Sequence, residues 1–204
     1  MKRIILLTGS RAGSHYLCTL YDSAYGLRHM PEILNANHWP GGKPYVPASE
    51  FDLTTAFNTI RKEESFIVKY YTGYELVSPS NLLDFAEREN CEFYFLYRQS
   101  NIDTLISYMY MKFDGEVTEE NLQVAADNVS YNNQEVRRTY ELFQNRIKQI
   151  LRYEDLTFTG TDLNLLGVSE QPGRIIKKEV SVEQHAALLG YNLEKYLDGP
   201  EFIL

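Results

Sequence analysis

The sequence predicts an α/β fold: an open, mainly parallel sheet with helices on both faces, in a single domain over residues 1–204. Three observations predict it. Four short apolar runs stand far apart along the chain, the gaps between them read as helical, and the first run passes through a small glycine turn straight into a helix. Buried parallel strands need long crossover connections, and these intervals have that length. Right-handed crossovers then gather a βαβαβαβ order into one sheet.

The elements follow in order. Ile4–Thr8 is an apolar run that stops at Gly9-Ser10, and Ser14–Gly26 follows at once as a helix. Ser65–Tyr71 (SFIVKYY) is rich in branched and aromatic residues, as strands are. Ser78-Pro-Ser-Asn opens a helix running to about Glu89. Glu92–Arg98 (EFYFLYR) is the third strand, and Asn101–Lys112 the helix behind it. Thr118-Glu-Glu-Asn starts a longer helical region whose first turn suits Glu119 and Glu120, with a break expected near Asn128–Asn133. Ile147–Tyr153 (IKQILRY) is the last strand. Two stretches depart from this rhythm. Asn35–Ala48 holds three prolines, two glycines and the only Trp, which suits a lid or binding loop as well as a passive surface loop. Thr157–Glu179 shows no clear period and carries Pro172-Gly173-Arg174 and Lys177-Lys178.

Composition bounds the function. At 204 residues, 44% hydrophobic and 13% aromatic, the chain suits one domain that buries about 70% of its unfolded surface. With 28 acidic against 20 basic residues, the net charge of −8 argues against a nucleic-acid coat protein or an anionic-membrane binder. The charge is uneven: residues 1–43 carry five basic and two acidic side chains, a net +3, which leaves −11 for the rest. Cys18 and Cys91 have neither metal-ligand spacing nor the density of a disulfide scaffold, so two reduced thiols are expected. The opening residues offer only four consecutive apolar positions, against about 7–15 for a signal peptide and about 20 for a membrane span. A cytoplasmic protein without membrane insertion is the expectation.

The segment Ile4-Ile-Leu-Leu-Thr-Gly-Ser-Arg-Ala-Gly-Ser-His-Tyr-Leu is the most informative one. Gly9 and Gly13 let the backbone turn so that successive N–H groups point inward, and the free amides of the following helix face the same spot. Arg11 adds a planar, permanently charged fork, and Ser14 and His15 add donors. An anion is the ligand such a loop suits; a plain tight turn is the other reading. The loop is not a Walker A motif. Three residues separate Gly9 from Gly13, and Ser14 stands where that motif has Lys.

Arg11-Ala12-Gly13-Ser14-His15-Tyr16-Leu17 resembles the loop of the sulfotransferases that use 3′-phosphoadenosine 5′-phosphosulfate (PAPS). In that family the loop reads Lys/Arg-Ser-Gly-Ser/Thr-Thr and binds the 5′-phosphosulfate. Arg11, Gly13 and Ser14 match; Ala12 and His15 depart from it. The resemblance implies a P-loop-like nucleotide-binding architecture in which Arg11, Ala12, Gly13, Ser14, His15 and Tyr16 meet the donor. Phe95-Leu-Tyr-Arg98 and Leu105-Ile-Ser107-Tyr108 resemble the family's strand-end Arg and helix Ser, which bind the 3′-phosphate. Arg98 and Ser107 are nine apart, where many members have eight. Phe66-Ile-Val-Lys69-Tyr70-Tyr71 resembles the segment that ends in Lys-Thr-His in many members: Lys69 matches, and Tyr71 stands in the catalytic His position. Arg152-Tyr-Glu-Asp-Leu156 resembles a late family segment and is read as structural bracing. The family's late Arg-Lys-Gly is absent, and Arg174 is the residue chosen for a second 3′-phosphate contact. The resemblance spans about residues 3–156.

What the resemblance implies is transfer of a sulfuryl group from PAPS to a hydroxyl or amine of a small-molecule or glycan acceptor, with 3′,5′-ADP released and no metal required. Arg11 would stabilise the leaving phosphate and Lys69 the transferred group. The base is open among His15, His38 and Glu75, or is not needed, since a phenol's ordinary pKa near 10 suits Tyr71 poorly to that role. Trp39, Tyr45, Tyr70, Tyr71 and Tyr74 either line an acceptor cleft or simply pack. Two other readings stay beside it: a P-loop phosphotransferase using ATP and magnesium, and a non-catalytic nucleotide-binding member of the fold.

Overall fold

The computed structural model of the chain describes residues 1–30, 33–34, 52–71, 77–156, 182–199 and 201–204. Both irregular stretches lie outside them, and with them His38, Trp39, Tyr45, Tyr74, Glu75 and Arg174.

Five strands form one wholly parallel sheet: β1 Arg3–Thr8, β2 Arg28–Met30, β3 Phe66–Tyr71, β4 Glu92–Tyr97 and β5 Ile147–Arg152. Their spatial order is β2-β3-β1-β4-β5. The helices are α1 Ser14–Tyr25, α2 Leu53–Arg61, α3 Pro79–Glu89, α4 Asn101–Phe113, α5 Glu119–Phe143 and α6 Val182–Leu188. The expected α/β class is the observed one.

Alternation along the strands sorts the core into two faces. Ile5, Leu7, Val68, Tyr70, Phe93 and Phe95 pack with Phe57 and Ile60 of α2, Phe85 of α3, and Val136 and Phe143 of α5. Ile4, Leu6, Ile67, Tyr94 and Leu96 pack on the other face, with Leu17 and Cys18 of α1. The central strand is therefore buried on both sides, and each fully buried aliphatic or Phe side chain contributes about 1.5–3 kcal/mol. A third cluster joins α4, α5 and α6 through Leu105, Met109, Leu122, Val129 and Ala186.

Among the described residues the structure adds one strand, β2, and two helices, α2 and α6, to the expected set and mends another helix. Edge strand β2 is only Arg-His-Met, too short and too polar to show a strand pattern. Helix α2 buries Ala56, Phe57 and Ile60 among threonines and an asparagine. Helix α5 runs unbroken for 25 residues through Asn128–Asn133, where a break was expected. Its asparagines have work elsewhere: Asn132 accepts from the Ser10 N–H at 2.7 Å, and Asn133 donates to Asn101 Oδ1 at 2.9 Å.

This strand order positions a crevice. The chain leaves β1 through α1 toward β2 on one side, and leaves β4 through α4 and α5 toward β5 on the other. The carboxyl ends of β1 and β4 thus flank the point where the winding reverses, which is where open α/β sheets take ligands.

Candidate functional site

The β1–α1 loop is held open by its neighbours. Gly9 lies so close to α5 that a Cβ there would strike Val136 and Asn132. Arg11 adopts φ 61°, in the left-handed region that side chains other than glycine rarely enter. Gly13 has φ 76° and ψ 14° and rests on the Tyr153 ring, where a Cβ would have no room.

Gly13 is also the cap residue of α1, and it supplies no side-chain acceptor. The first amides of α1 therefore have no intrahelical partner and no cap, and no acidic residue stands in the first turn. The four helices that follow differ. Asp52, Ser78, Ser100 and Thr118 each accept a backbone N–H at the start of α2, α3, α4 and α5, at 3.0, 3.3, 3.1 and 3.1 Å. The positive end of α1 thus has neither a side-chain cap nor a first-turn acid, an arrangement that suits an anion.

Two guanidinium groups converge on this end. Arg11 donates from Nε to Ser107 Oγ of α4 at 2.8 Å and from Nη1 to Met111 Sδ at 3.6 Å. No described carboxylate forms an ion pair with it. Burial pushes its pKa below the ordinary value and Arg98 adds to that lowering, while Tyr108, Tyr71 and Tyr16 oppose it. Arg98, just past the end of β4, has its guanidinium over the Tyr153 ring, 5.0 Å from the centroid. It reaches the Arg11 carbonyl with Nη1 at 3.5 Å and Asp103 with Nη2 at 3.3 Å. Its Nε is buried and has no partner among the described residues, although the side chain is only 10% exposed. A buried cationic donor left over at this point suits an added acceptor.

The support beneath is built from β5 and its following turn. Burial raises the Tyr153 phenol to about 12, so it meets Arg98 and Gly13 as a neutral ring. Glu154 accepts from the backbone of Gln99 at 2.9 and 3.1 Å and of Ser100 at 2.9 Å, which fixes the turn between Arg98 and α4. The chain's last residues add to that: Phe202 donates its N–H to the Gln99 carbonyl at 2.7 Å.

The opposite flank of the loop faces β3. Lys69 pairs in register with Leu6 and lies two residues before the end of the strand; it is 2% exposed. Its Nζ donates to the Tyr71 hydroxyl at 3.1 Å, and that hydroxyl lies 3.3 Å from Ser14 Oγ. His15 is exposed, with its ring 5.6 Å from that of His29 in β2.

The predicted residues therefore fall into two groups on either side of one loop. Arg11, Arg98 and Ser107 meet on the α4 side. Ser14, Tyr71 and Lys69 form a line on the β3 side, with His15 beyond them. Ala12 is 3% exposed, so its methyl belongs to the core and only its backbone faces the loop. Tyr16 occupies the first turn of α1 with its ring 6.3 Å from His15. Asn132, Asp103 and Tyr153 are participants that sequence reasoning missed. The one signal for Asn132 is the asparagine-rich stretch 128–133, which by composition reads as a helix break.

Among the described residues no three His, Cys, Asp or Glu could hold a metal ion, and no helix is long and apolar enough to cross a membrane. No family model matches the chain, and no curated protein matches it. Solved structures similar to it include shikimate kinase from Bacteroides thetaiotaomicron, at TM-score 0.49 and 12% identity over 93% of this chain and 98% of that one. The YorR protein of Bacillus subtilis, solved in complex with phosphorylated GDP, gives 0.44 and 11% over 78% and 90%. Mouse sulfotransferase SULT7A1, complexed with PAP, gives 0.46 and 13% over 91% of this chain and 62% of that one. These are likenesses of fold.

Proposed function

We propose that this chain is a sulfotransferase that moves a sulfuryl group from PAPS to a hydroxyl or amine of a small-molecule or glycan acceptor. The observation that carries the reading is the meeting of two motifs 87 and 96 residues apart: Arg98 on the Arg11 carbonyl, and Ser107 on the Arg11 side chain. An ordered pair of strand–turn–helix segments, each ending in donors, suits a ligand with negative charge at both ends. The orphaned Arg98 Nε and the uncapped start of α1 fit such a ligand as well.

In this reading the amides of α1 and Arg11 hold the 5′-phosphate, and Arg98 and Ser107 hold the 3′-phosphate; Arg174 is the further candidate there. The acceptor atom bonds to sulfur as the bond from sulfur to the bridging oxygen breaks, and the electron pair stays on the phosphate. Arg11 neutralises the charge that collects there. The group that takes the proton is open among His15, His38 and Glu75, of which only His15 lies within the described residues. Catalysis is mostly positioning and electrostatics, with no compulsory metal.

Equilibrium binding separates this reading from an ATP-dependent phosphotransferase. The expected result is preference for 3′,5′-ADP over ATP with magnesium. Arg11→Ala and Arg98→Ala should each weaken it by at least about tenfold, the effect of losing one charged hydrogen bond. Preference for ATP, or unchanged affinity in both variants, would overturn the assignment. A non-catalytic nucleotide binder would keep the binding and transfer no label from radiolabelled PAPS across a broad acceptor panel.

A further inference from the structure

We propose that Asp103 is a specificity-determining residue for the 3′-phosphate: its carboxylate occupies the edge of Arg98 that the phosphate needs, yields to it, and speeds its departure. The inference rests on the sulfotransferase reading and goes beyond it in giving that subsite an internal occupant.

The guanidinium of Arg98 is held from three directions. Its carbon stands 5.0 Å from the centroid of the buried Tyr153 ring, and Nη1 reaches the Arg11 carbonyl at 3.5 Å. Nη2 meets Asp103 Oδ2 at 3.3 Å, the only ion pair that Arg98 makes among the described residues. The first two partners are a core ring and a loop carbonyl. Arg98 therefore keeps its direction when Asp103 moves away.

The edge that Asp103 covers is only half used. In a guanidinium, Nε–H and one Nη2–H point the same way and form a fork that takes two oxygens of one anion. Asp103 engages Nη2, whereas the buried Nε has no partner among the described residues. A phosphate offers three outer oxygens and more negative charge than a carboxylate, so it satisfies both donors and displaces Asp103.

Exposure makes the exchange easy on the protein side. The Asp103 side chain is 43% exposed, against 10% for Arg98. An ion pair with a solvent-exposed member is weak, and the released carboxylate returns to water. Its backbone need not follow, because the Asp103 N–H stays on Ser100 Oγ at 3.1 Å.

The consequence is kinetic. A carboxylate beside Arg98 spares the empty protein an uncompensated buried charge, and it competes for the fork each time the phosphate loosens. It thus hastens release of the used donor, a step that limits many enzymes. The competition falls only on a nucleotide with a phosphate at this position.

Titration calorimetry and stopped-flow dissociation on the full chain compare 3′,5′-ADP with 5′-AMP, which lacks the 3′-phosphate. Asp103→Asn keeps the size of the side chain and removes its charge. It should tighten 3′,5′-ADP about tenfold, mostly through slower dissociation, and leave 5′-AMP within about twofold. Weaker or unchanged binding of 3′,5′-ADP would make Asp103 a support for Arg98 and overturn the proposal; an equal gain for both nucleotides would overturn it too. In an Arg98→Ala background the same substitution should leave 3′,5′-ADP within about twofold. A gain there means plain repulsion and overturns the competition. If Arg98→Ala does not fold, the contrast between the two nucleotides in Asp103→Asn decides. Failure of the unaltered protein to bind 3′,5′-ADP overturns the sulfotransferase reading itself.

Discussion

Two helices begin side by side at the reversal point of the sheet, and they begin in opposite ways. Helix α4 is closed by its own protein: Ser100 caps it, Asp103 stands in its first turn, and Glu154 takes the two amides that precede it. Helix α1 has a bare glycine at the cap and no acid in its first turn. Both follow a parallel strand through a short turn, so the difference is not one of architecture. It lies in whether the positive end has been supplied with internal oxygen. The closed start makes a rigid wall, the open one a socket, and Arg98 belongs to the first while reaching into the second.

The comparison can be broken most severely at Gly13. Gly13→Ala places a methyl against the Tyr153 ring at a left-handed backbone position. It should cost about 2–4 kcal/mol in urea unfolding and abolish 3′,5′-ADP binding. Wild-type stability would show that the loop adapts.

The shared floor can be probed by pH. Because burial raises Tyr153 to about 12 from its ordinary value near 10, the unfolded chain loses that proton first as pH rises. The phenol's contribution is complete below pH 10 and is lost through 12. Wild type should lose about 1 kcal/mol from this group by pH 11, a loss that Tyr153→Phe lacks. Unfolding curves at pH 8 and 11 compare them; the half-buried Cys91 thiol, also raised to about 12, contributes equally to both.

The smallest change sharpens the contrast instead of breaking it. His15→Asp gives α1 the first-turn acid that α4 already has. Stability should rise by about 0.3–1 kcal/mol while affinity for 3′,5′-ADP falls. A gain in both would contradict an anion site at α1.

Legibility followed locality. The strands β1, β3, β4 and β5 were readable to within a residue or so at each end because β1, β3 and β4 are rich in apolar and aromatic residues and bounded by turns, while edge strand β5 mixes branched residues with polar ones before a turn. β2 was not, since three residues at an edge need no pattern, and their place is fixed by pairing with β3. Leu53, Ala56, Phe57 and Ile60 have helical spacing, yet Thr and Asn between them obscured α2. At the site, Arg11, Arg98 and Ser107 were legible as types in order, because strand-end donors carry a local signature. Asn132 carries none: it meets Ser10 across 122 positions, and its composition argued for a break in the helix that delivers it. Lys69 was legible as a cation but not as one covered by Tyr71, since depth beneath a neighbour is not written in a motif.

The backbone of Arg11 has a consequence for anyone who would alter this protein. At φ 61° a glycine would be more comfortable than an arginine, by about 1 kcal/mol or somewhat more. If Arg11 holds the proposed nucleotide, heat resistance and ligand capture pull this position in opposite directions. A library screened for thermal survival alone would enrich Gly at position 11 and discard the guanidinium, yielding hardier molecules with an empty socket. Selection has to be applied for both traits together if the loop is to keep its charge.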